Sequence, residues 1–542
     1  MKPVILVILD GLGIAPPGPG NPVSLANPIF YKSLFQLYPN TTLKASGIVV
    51  GLPAGEVGSS EVGHINIGAG RTVLQPWPRI NLSIADGSFY NNQAFLKAIS
   101  HVKKTGGKLH LMGLVSEGSV HSNFEHIIAL IYLAKEHKVE NLFIHAFTDG
   151  RDALPKSSTG IVERLEKKLI QNGKGKIASI MGRYFAMDRD RRWKRVEKAY
   201  ECLTKGSAKT ARSALDAINN SYSEGKTDEF IEPTSILIDE KPVTIQKGDS
   251  VIFFNFRIDR PRELTRAFVF ENFERDANKK ASFDPYAARA RKSYLKEAPD
   301  NPPFKRGSKI EDLFFVTMTQ YEEHLPVDVA YDPIIVEMPV GRVISEKEIA
   351  QVRITESEKE RFVTFYLNGR REQPFNMEDH IILASPKVAT YDLKPEMSSY
   401  EITDAVLEKM RGKRHGFIFV NYAAPDMVGH TGNLKACIKT IEAIDKCLEK
   451  LVRETLILDY TLLISSDHGN IERKIIPETG EISTTHTINP VPFLAISNKY
   501  MNKAIKLQTG ILPDLAPTVL ALLGINKPGQ MTGRNLLEEI RT

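Results

Sequence analysis

Apolar residues in this chain come in short continuous runs that stop at chemically active side chains. Val4 to Leu9 is apolar throughout and closes on Asp10, Gly416 to Val420 leads within six residues to Asp426, and Tyr460 to Ile464 leads to Asp467 and His468. Runs of this length predict buried parallel strands. Leu109 to Val115, Leu142 to Thr148, Ile177 to Met181 and Val251 to Phe256 read the same way, and they lead into His121, Arg151 with Asp152, Arg183 and Arg257. Helical patterns separate the runs, so the expected fold class is α/β with mostly parallel sheets.

Pro16, Pro17 and Pro19 among glycines mark a long loop after the first strand. The glycine-rich stretch from Gly51 to Gly70 surrounds Ser59 and Ser60 and reads as a loop feeding a helix. Such a turn can present a serine and backbone N–H groups to a phosphate. The tail, with Leu515, Leu520, Leu522 and Leu523 after Asp514, predicts a docking helix. Between Phe270 and Lys309 the chain turns basic and proline-rich, and 271–308 is expected to be a surface insertion.

The residues at the run ends supply the chemistry. In open parallel sheets, ligands bind beyond the carboxyl ends of the strands, where groups far apart in sequence converge. Asp10, Asp426 and Asp467, the imidazoles of His430, His468 and His486, and the Ser60 hydroxyl suffice for two divalent cations. Asp426 and His430 stand four apart, which places both on one helical face if that turn is helical. Singly these residues have plainer readings: Asp10 before a glycine turn as a cap, His486 as a solvated loop residue. Their joint placement at strand ends outweighs those readings. Oxygen and imidazole donors suit Mn²⁺ or Zn²⁺, and the lack of a cysteine ligand leans away from structural zinc. A cation beside Ser60 would lower its pKa and make an alkoxide nucleophile.

The middle of the chain collects arginines instead. Arg183, Arg257 and Arg260 could fork onto a carboxylate and a phosphate of a small dianionic acid. Arg189, Arg191, Arg192, Lys194 and Arg195 resemble an RNA-binding patch, but Asp188, Asp190 and Glu197 interrupt the run. Because the candidate ligands before residue 76 and after 420 must meet, the expected organisation is a discontinuous metal-binding domain, 1–75 with 335–542. A substrate-binding domain, 76–334 including linkers, is inserted into it. Linkers around Val73 to Pro78 and Val327 to Ile335 would form a hinge.

Composition narrows the classes. A chain of 542 residues exceeds what one core usually serves, and 42% hydrophobic with 25% charged residues is ordinary for globular proteins. The net charge of +6, from 71 basic against 65 acidic residues, implies neither a nucleic-acid nor a membrane partner. Three cysteines without CxxC spacing fit a reducing compartment. The first apolar run is too short for a signal segment, and no stretch approaches the about 20 apolar residues of a membrane span. A cytoplasmic protein is expected, and a monomer, since a hinged two-domain enzyme needs no partner.

Longer motifs carry a resemblance. Asp10-Gly-Leu-Gly, Gly58-Ser-Ser-Glu-Val-Gly-His-Ile-Asn-Ile-Gly-Ala-Gly-Arg71, His145-Ala-Phe-Thr-Asp-Gly-Arg-Asp152 and Met181-Gly-Arg-Tyr-Phe-Ala-Met-Asp-Arg-Asp190 are four of them. Asn255-Phe-Arg-Ile-Asp-Arg260, Pro425-Asp-Met-Val-Gly-His430 and Ser466-Asp-His-Gly-Asn470 complete the set. Together they resemble the 2,3-bisphosphoglycerate-independent phosphoglycerate mutases of the alkaline phosphatase superfamily, in order along essentially the whole chain. The resemblance implies an alkaline-phosphatase-like discontinuous domain with an inserted second α/β domain. It implies Ser60 as a phosphorylated nucleophile, one cation held by Asp10, Ser60, Asp467 and His468, and another by Asp426, His430 and His486. His121, Arg151, Asp152, Arg183, Arg189, Arg257 and Arg260 match substrate-binding positions, Asp152 the general acid and base, and Lys359 an active-site lysine. The implied cation is Mn²⁺, with Co²⁺, Zn²⁺ or Mg²⁺ as alternatives and no requirement for 2,3-bisphosphoglycerate. The implied reaction interconverts 3-phosphoglycerate and 2-phosphoglycerate in glycolysis and gluconeogenesis. A related phosphatase or phosphopentomutase would keep the metal set and differ in the arginine segment. The family commonly has Trp where Leu12 stands, Gln-Met at Glu56 and Val57, Asn at Ser59 and a second histidine at Asn123.

Overall fold

The Val4–Leu9 run is a fully buried strand whose Ile5 pairs in parallel with Ile418 on one side and Leu462 on the other. It lies inside an eight-stranded sheet. From edge to edge the strands are Glu378–Leu383, Gln351–Glu356, Phe417–Tyr422, Val4–Leu9, Thr461–Ser465, Val491–Ile496, Asn40–Lys44 and Gly510–Ile511. The first five run parallel, as continuous apolar runs buried on both faces require. Val491–Ile496 runs antiparallel to both its neighbours.

A second sheet of nine strands contains Leu109–Leu114, Leu142–Thr148, Lys176–Gly182 and Ser250–Phe253. Those four pair in parallel, while Thr234–Ile238 is antiparallel to Lys176–Gly182. Successive residues of its strands enter different cores. Leu111, Ile144 and Ile252 pack in one cluster, and Met112, Phe147 and Phe253 in the other, so both faces are covered. The computed structural model describes residues 2–279, 301–476 and 479–540. The chain divides into two compact units, Met1–Gln75 with Ile334–Thr542, and Pro76–Pro333.

Three details depart from expectation. The strand expected to reach Phe256 ends at Phe253. The stretches expected as linkers carry regular structure, a helix over Pro76–Ala85 and a strand over Asp328–Tyr331. Of the expected insertion at 271–308, residues 280–300 lie outside the described residues, but its flanks are packed. Phe273 and Phe304 are buried against each other, and Arg306 donates to the Phe270, Ala267 and Glu271 carbonyls, filling acceptors left at the end of the Arg262–Val269 helix. Among the described residues no helix is long and apolar enough to cross a membrane.

Candidate active site

In the first unit Asp10, Asp426, Asp467 and His468 stand at or just beyond a strand's carboxyl end, while Ser60 opens a helix and His486 lies in the loop that leads into Val491–Ile496. Asp10 follows Val4–Leu9, Asp467 and His468 follow Thr461–Ser465, and Asp426 lies in the short helix Ala424–Gly429 after Phe417–Tyr422, with His430 capping that helix. Ser60 is the first residue of the helix Ser60–Ala69, and the Ser59 hydroxyl caps that helix by accepting from Val62 N at 3.3 Å. Lys359 closes a short turn after Gln351–Glu356. All of these except the half-buried His430 and His486 are nearly or wholly shielded from solvent.

The geometry centres on Ser60. Its Oγ donates to Asp10 Oδ1 at 3.1 Å, lies 3.1 Å from His468 Nε2, and accepts from Lys359 Nζ at 2.6 Å. Lys359 Nζ also reaches Asp10 Oδ1 at 2.5 Å and Asp426 Oδ2 at 2.6 Å. On the other side of Asp426, Oδ1 is 3.3 Å from both His430 Nε2 and His486 Nε2. His468 Nε2 stands between, 3.6 Å from Asp10 and Asp467 and 3.9 Å from Asp426.

The outer ring nitrogens show which atoms are available. His430 Nδ1 faces the Thr484 carbonyl at 2.8 Å and His486 Nδ1 faces the Gly58 carbonyl at 2.8 Å, so both carry their proton there and turn a bare Nε2 inward. Those two Nε2 atoms are 3.0 Å apart, lone pair against lone pair, and Asp467 Oδ2 is buried without a hydrogen-bond partner. Bound cations would remove both conflicts, and the oxygen and imidazole donor set fits a divalent metal. Among the described residues two clusters have metal-ligand spacing, Asp426 with His468 and His486, and Asp10 with His64 and Asp467. His64 is better read as a donor than as a ligand. Its Nε2 lies 3.1 Å from Asn421 Nδ2, a donor that also serves Asp10 Oδ2 at 2.7 Å, so its proton sits on Nδ1, toward the Ser60 carbonyl at 2.9 Å and Asp467 at 3.3 Å.

The titrations follow from this crowding. Burial, then the Asp467 and Asp426 carboxylates, push Asp10 up to about 7 against the pull of Lys359. Burial opposes charge on Lys359 too, but the carboxylates of Asp10, Asp426 and Asp467 outweigh it and hold the ammonium above the ordinary lysine range. Burial opposes charge on Asp426, but the Lys359 ammonium beside it holds this carboxyl well below the usual carboxylate range.

The second unit gathers the arginine set. Arg183 Nη1 donates to Asp149 Oδ1 at 2.7 Å and to Asp152 Oδ2 at 2.5 Å. Arg257 Nε and Arg189 Nη1 both reach Asp259, at 3.1 Å and 2.8 Å, and Arg260 donates to the Met187 carbonyl at 3.1 Å. His121 lies between the two groups, 3.7 Å from Asp152 and 3.7 Å from Asp259. Arg151 stands apart, more than half exposed and 3.5 Å from Glu229. Burial, with Arg183 and Arg257 nearby, holds His121 down to about 3 against the two carboxylates, so it is neutral near pH 7. Burial and the Arg183 and Arg189 charges lower Arg260 to about 10. Arg192 and Arg195, from the basic run, pair with Asp188.

Sequence reasoning missed Asp149 and Asp259, which hold the arginines, and His64 and Asn421, which hold the carboxylates. Asp149, Asp259 and His64 lie inside motifs quoted for other residues; Asn421 lies in the strand itself, where an amide amid apolar neighbours is the available signal.

Residues 80–323 match the family model described as BPG-independent PGAM N-terminus. The chain is 46% identical over 537 residues to the 2,3-bisphosphoglycerate-independent phosphoglycerate mutase of Moorella thermoacetica, covering 99% of this chain and 98% of that one. It is 47% identical over 546 residues to the protein of the same name from Chloroflexus aggregans, with 99% and 98% covered. Among solved structures it is similar to Leishmania mexicana phosphoglycerate mutase determined at low cobalt concentration, with TM-score 0.63, 28% identity, and 98% and 97% of the two chains covered.

Proposed function

The chain belongs to the 2,3-bisphosphoglycerate-independent phosphoglycerate mutase family, and we propose that it interconverts 3-phosphoglycerate and 2-phosphoglycerate through a phosphoserine on Ser60. The observation that carries the reading is the Ser60 hydroxyl, buried and within 3.1 Å of Asp10, His468 and Lys359 at once. A serine kept merely for packing has no use for an ammonium and a carboxylate on the same oxygen.

Asp10, Asp426, His430, Asp467, His468, His486 and the Ser60 oxygen would hold two divalent cations, Mn²⁺ in this proposal. When bound, they supply Lewis-acid charge that favours the serine alkoxide and neutralises phosphoryl oxygens. Ser60 Oγ attacks phosphorus in line, and the glycerate hydroxyl leaves. Lys359 offers its ammonium to the phosphoryl oxygens as their charge spreads. Arg183, Arg189, Arg257 and Arg260 bind the glycerate, with planar guanidinium groups suited to its carboxylate. Asp152, oriented by Arg183, gives the proton to the departing hydroxyl and later takes one from the other hydroxyl. Neutral His121 donates a hydrogen bond without adding charge.

The test is a coupled assay offering 3-phosphoglycerate without bisphosphoglycerate, with and without a chelator. Turnover that disappears with the chelator and in Ser60→Ala, for mutase and phosphatase activity alike, is the expected outcome. Mutase activity surviving in Ser60→Ala refutes the phosphoserine route.

A further inference from the structure

We infer that Glu472, a carboxylate outside the candidate ligand set, is the positioning residue that sets the metal centre by tying together the loops that carry its ligands; this rests on the metal-binding reading above. Glu472 is buried, just beyond the Asp467 and His468 loop. Its Oε2 accepts from Gly13 N at 2.9 Å, in the loop that begins at Asp10, and from Asn470 N at 2.8 Å, in the loop of Asp467 and His468. Its Oε1 accepts from Asn489 Nδ2 at 2.9 Å and from the Thr487 hydroxyl, in the loop of His486. The fourth ligand segment joins through Asn470, whose Nδ2 donates to Asp426 Oδ1 at 2.7 Å while Lys474 Nζ donates to Asn470 Oδ1 and, at 3.0 Å, to the Gly429 carbonyl.

Two glycines make the same point independently. A Cβ on Gly13 would lie 2.5 Å from the Glu472 carboxylate carbon, and one on Gly469 would lie 2.6 Å from Glu472 Oε1. Neither glycine has a left-handed backbone. Two ligand loops thus give up side chains so that one carboxylate can sit between them. The chemistry needs a carboxylate there: both oxygens receive N–H or O–H donors, so a Gln amide must turn a donor toward one pair. Groups that hold a metal's ligands in place in this way matter to binding, and their loss typically lowers metal affinity about 10–100-fold.

The experiment titrates Mn²⁺ into the chelator-treated full chain and follows free Mn²⁺ by electron paramagnetic resonance. Wild type is expected to take up two equivalents, and Glu472→Gln to bind them roughly 10–100-fold more weakly while its metal-free circular dichroism is unchanged. Thr487→Val removes one of the two donors that the His486 loop sends to Glu472 and leaves those of the other loops in place. It is expected to weaken one equivalent, leave the other at wild-type affinity and keep the metal-free unfolding midpoint, a split that general loosening does not produce. Wild-type affinity in Glu472→Gln overturns the inference. Should that variant fail to fold, Thr487→Val decides alone, and two unchanged equivalents overturn it. A wild-type protein that takes up no Mn²⁺ sinks the metal-binding reading itself, and the inference with it.

Discussion

Lys359 shows what one side chain contributes. Its ammonium is buried among Asp10, Asp426 and the Ser60 oxygen, where a lone cation would be costly and two uncompensated carboxylates costlier. Lys359→Met should therefore destabilise the metal-free protein by about 3–5 kcal/mol at neutral pH, the usual cost of removing one partner from a buried ion pair. The loss should shrink in acid, where the stranded carboxylates take up protons. Thermal unfolding with and without Mn²⁺ checks this: the variant should gain more from the metal than wild type does, while kcat falls at least about 100-fold, as for other lost electrostatic stabilisers. A metal-free variant as stable as wild type would contradict the account. Nothing local in Ile-Thr-Glu-Ser-Glu-Lys distinguishes Lys359 from a solvated run; its role came from family resemblance alone. Asp10 and Asp467 were legible because each interrupts a strand pattern with a charge. Glu472 was not, since its importance lies in donors from Gly13 and Asn489, which sequence spacing does not bring near it.

At the scale of elements, the helix Ser60–Ala69 aims the nucleophile, and two neighbours fix where it starts. Ser59 caps it, which explains how a family position commonly Asn can be Ser here: both are good caps. Ser59→Asn should keep stability, and Ser59→Ala should lose about 1 kcal/mol in urea unfolding. One turn on, a Cβ at Gly63 would come within 2.6 Å of the Asp467 side chain and carbonyl, so the helix can approach the strand-end loop only there. Gly63→Ala should cost about 1–3 kcal/mol by overpacking and lower kcat more than Ser59→Ala does, because it pushes Ser60 and Asp467 apart. Equal kcat for the two variants would show that the approach does not matter. The strands before Asp10, Asp426 and Asp467 were readable because continuous apolar runs of four to eight residues declare burial on both faces. The same signal is silent about direction. Val491–Ile496 is as apolar as Val4–Leu9, yet it runs antiparallel, a matter of how its connection returns rather than of its own residues.

Over the whole molecule, the two units should answer pH and metal differently. His110, His121, His126 and His145 all lie in Pro76–Pro333, and burial lowers each of them, His121 and His126 to about 3. Such a group is neutral when folded and gains a proton on unfolding below its ordinary pKa near 6.5. The unfolded state then binds more protons, so stability present above pH 6.5 is lost as pH falls toward 3. The loss is on the order of 1.4 kcal/mol per pH unit for each fully shifted group. In the other unit Asp10, raised to about 7, works in the opposite sense over pH 7 to 5, favouring the folded state as it takes up its proton. Mn²⁺ acts on that unit alone in the proposed assignment, adding about 2.7 kcal/mol at a free concentration 100 times its Kd. Hydrogen exchange resolved by peptide, corrected for intrinsic rates, should show residues 76–333 opening more readily from pH 7 to pH 5, and Mn²⁺ protecting the remainder. His126 provides the control, since its Nε2 meets Asn81 at 2.8 Å and its ring packs on Phe256, away from the ion pairs of the arginine cluster. His126→Gln can keep the Asn81 contact and cannot titrate, so the pH slope of the second unit should flatten by about 1.4 kcal/mol per unit. An unchanged slope would mean that the histidine is already charged in the folded protein, and burial would no longer explain the acid response.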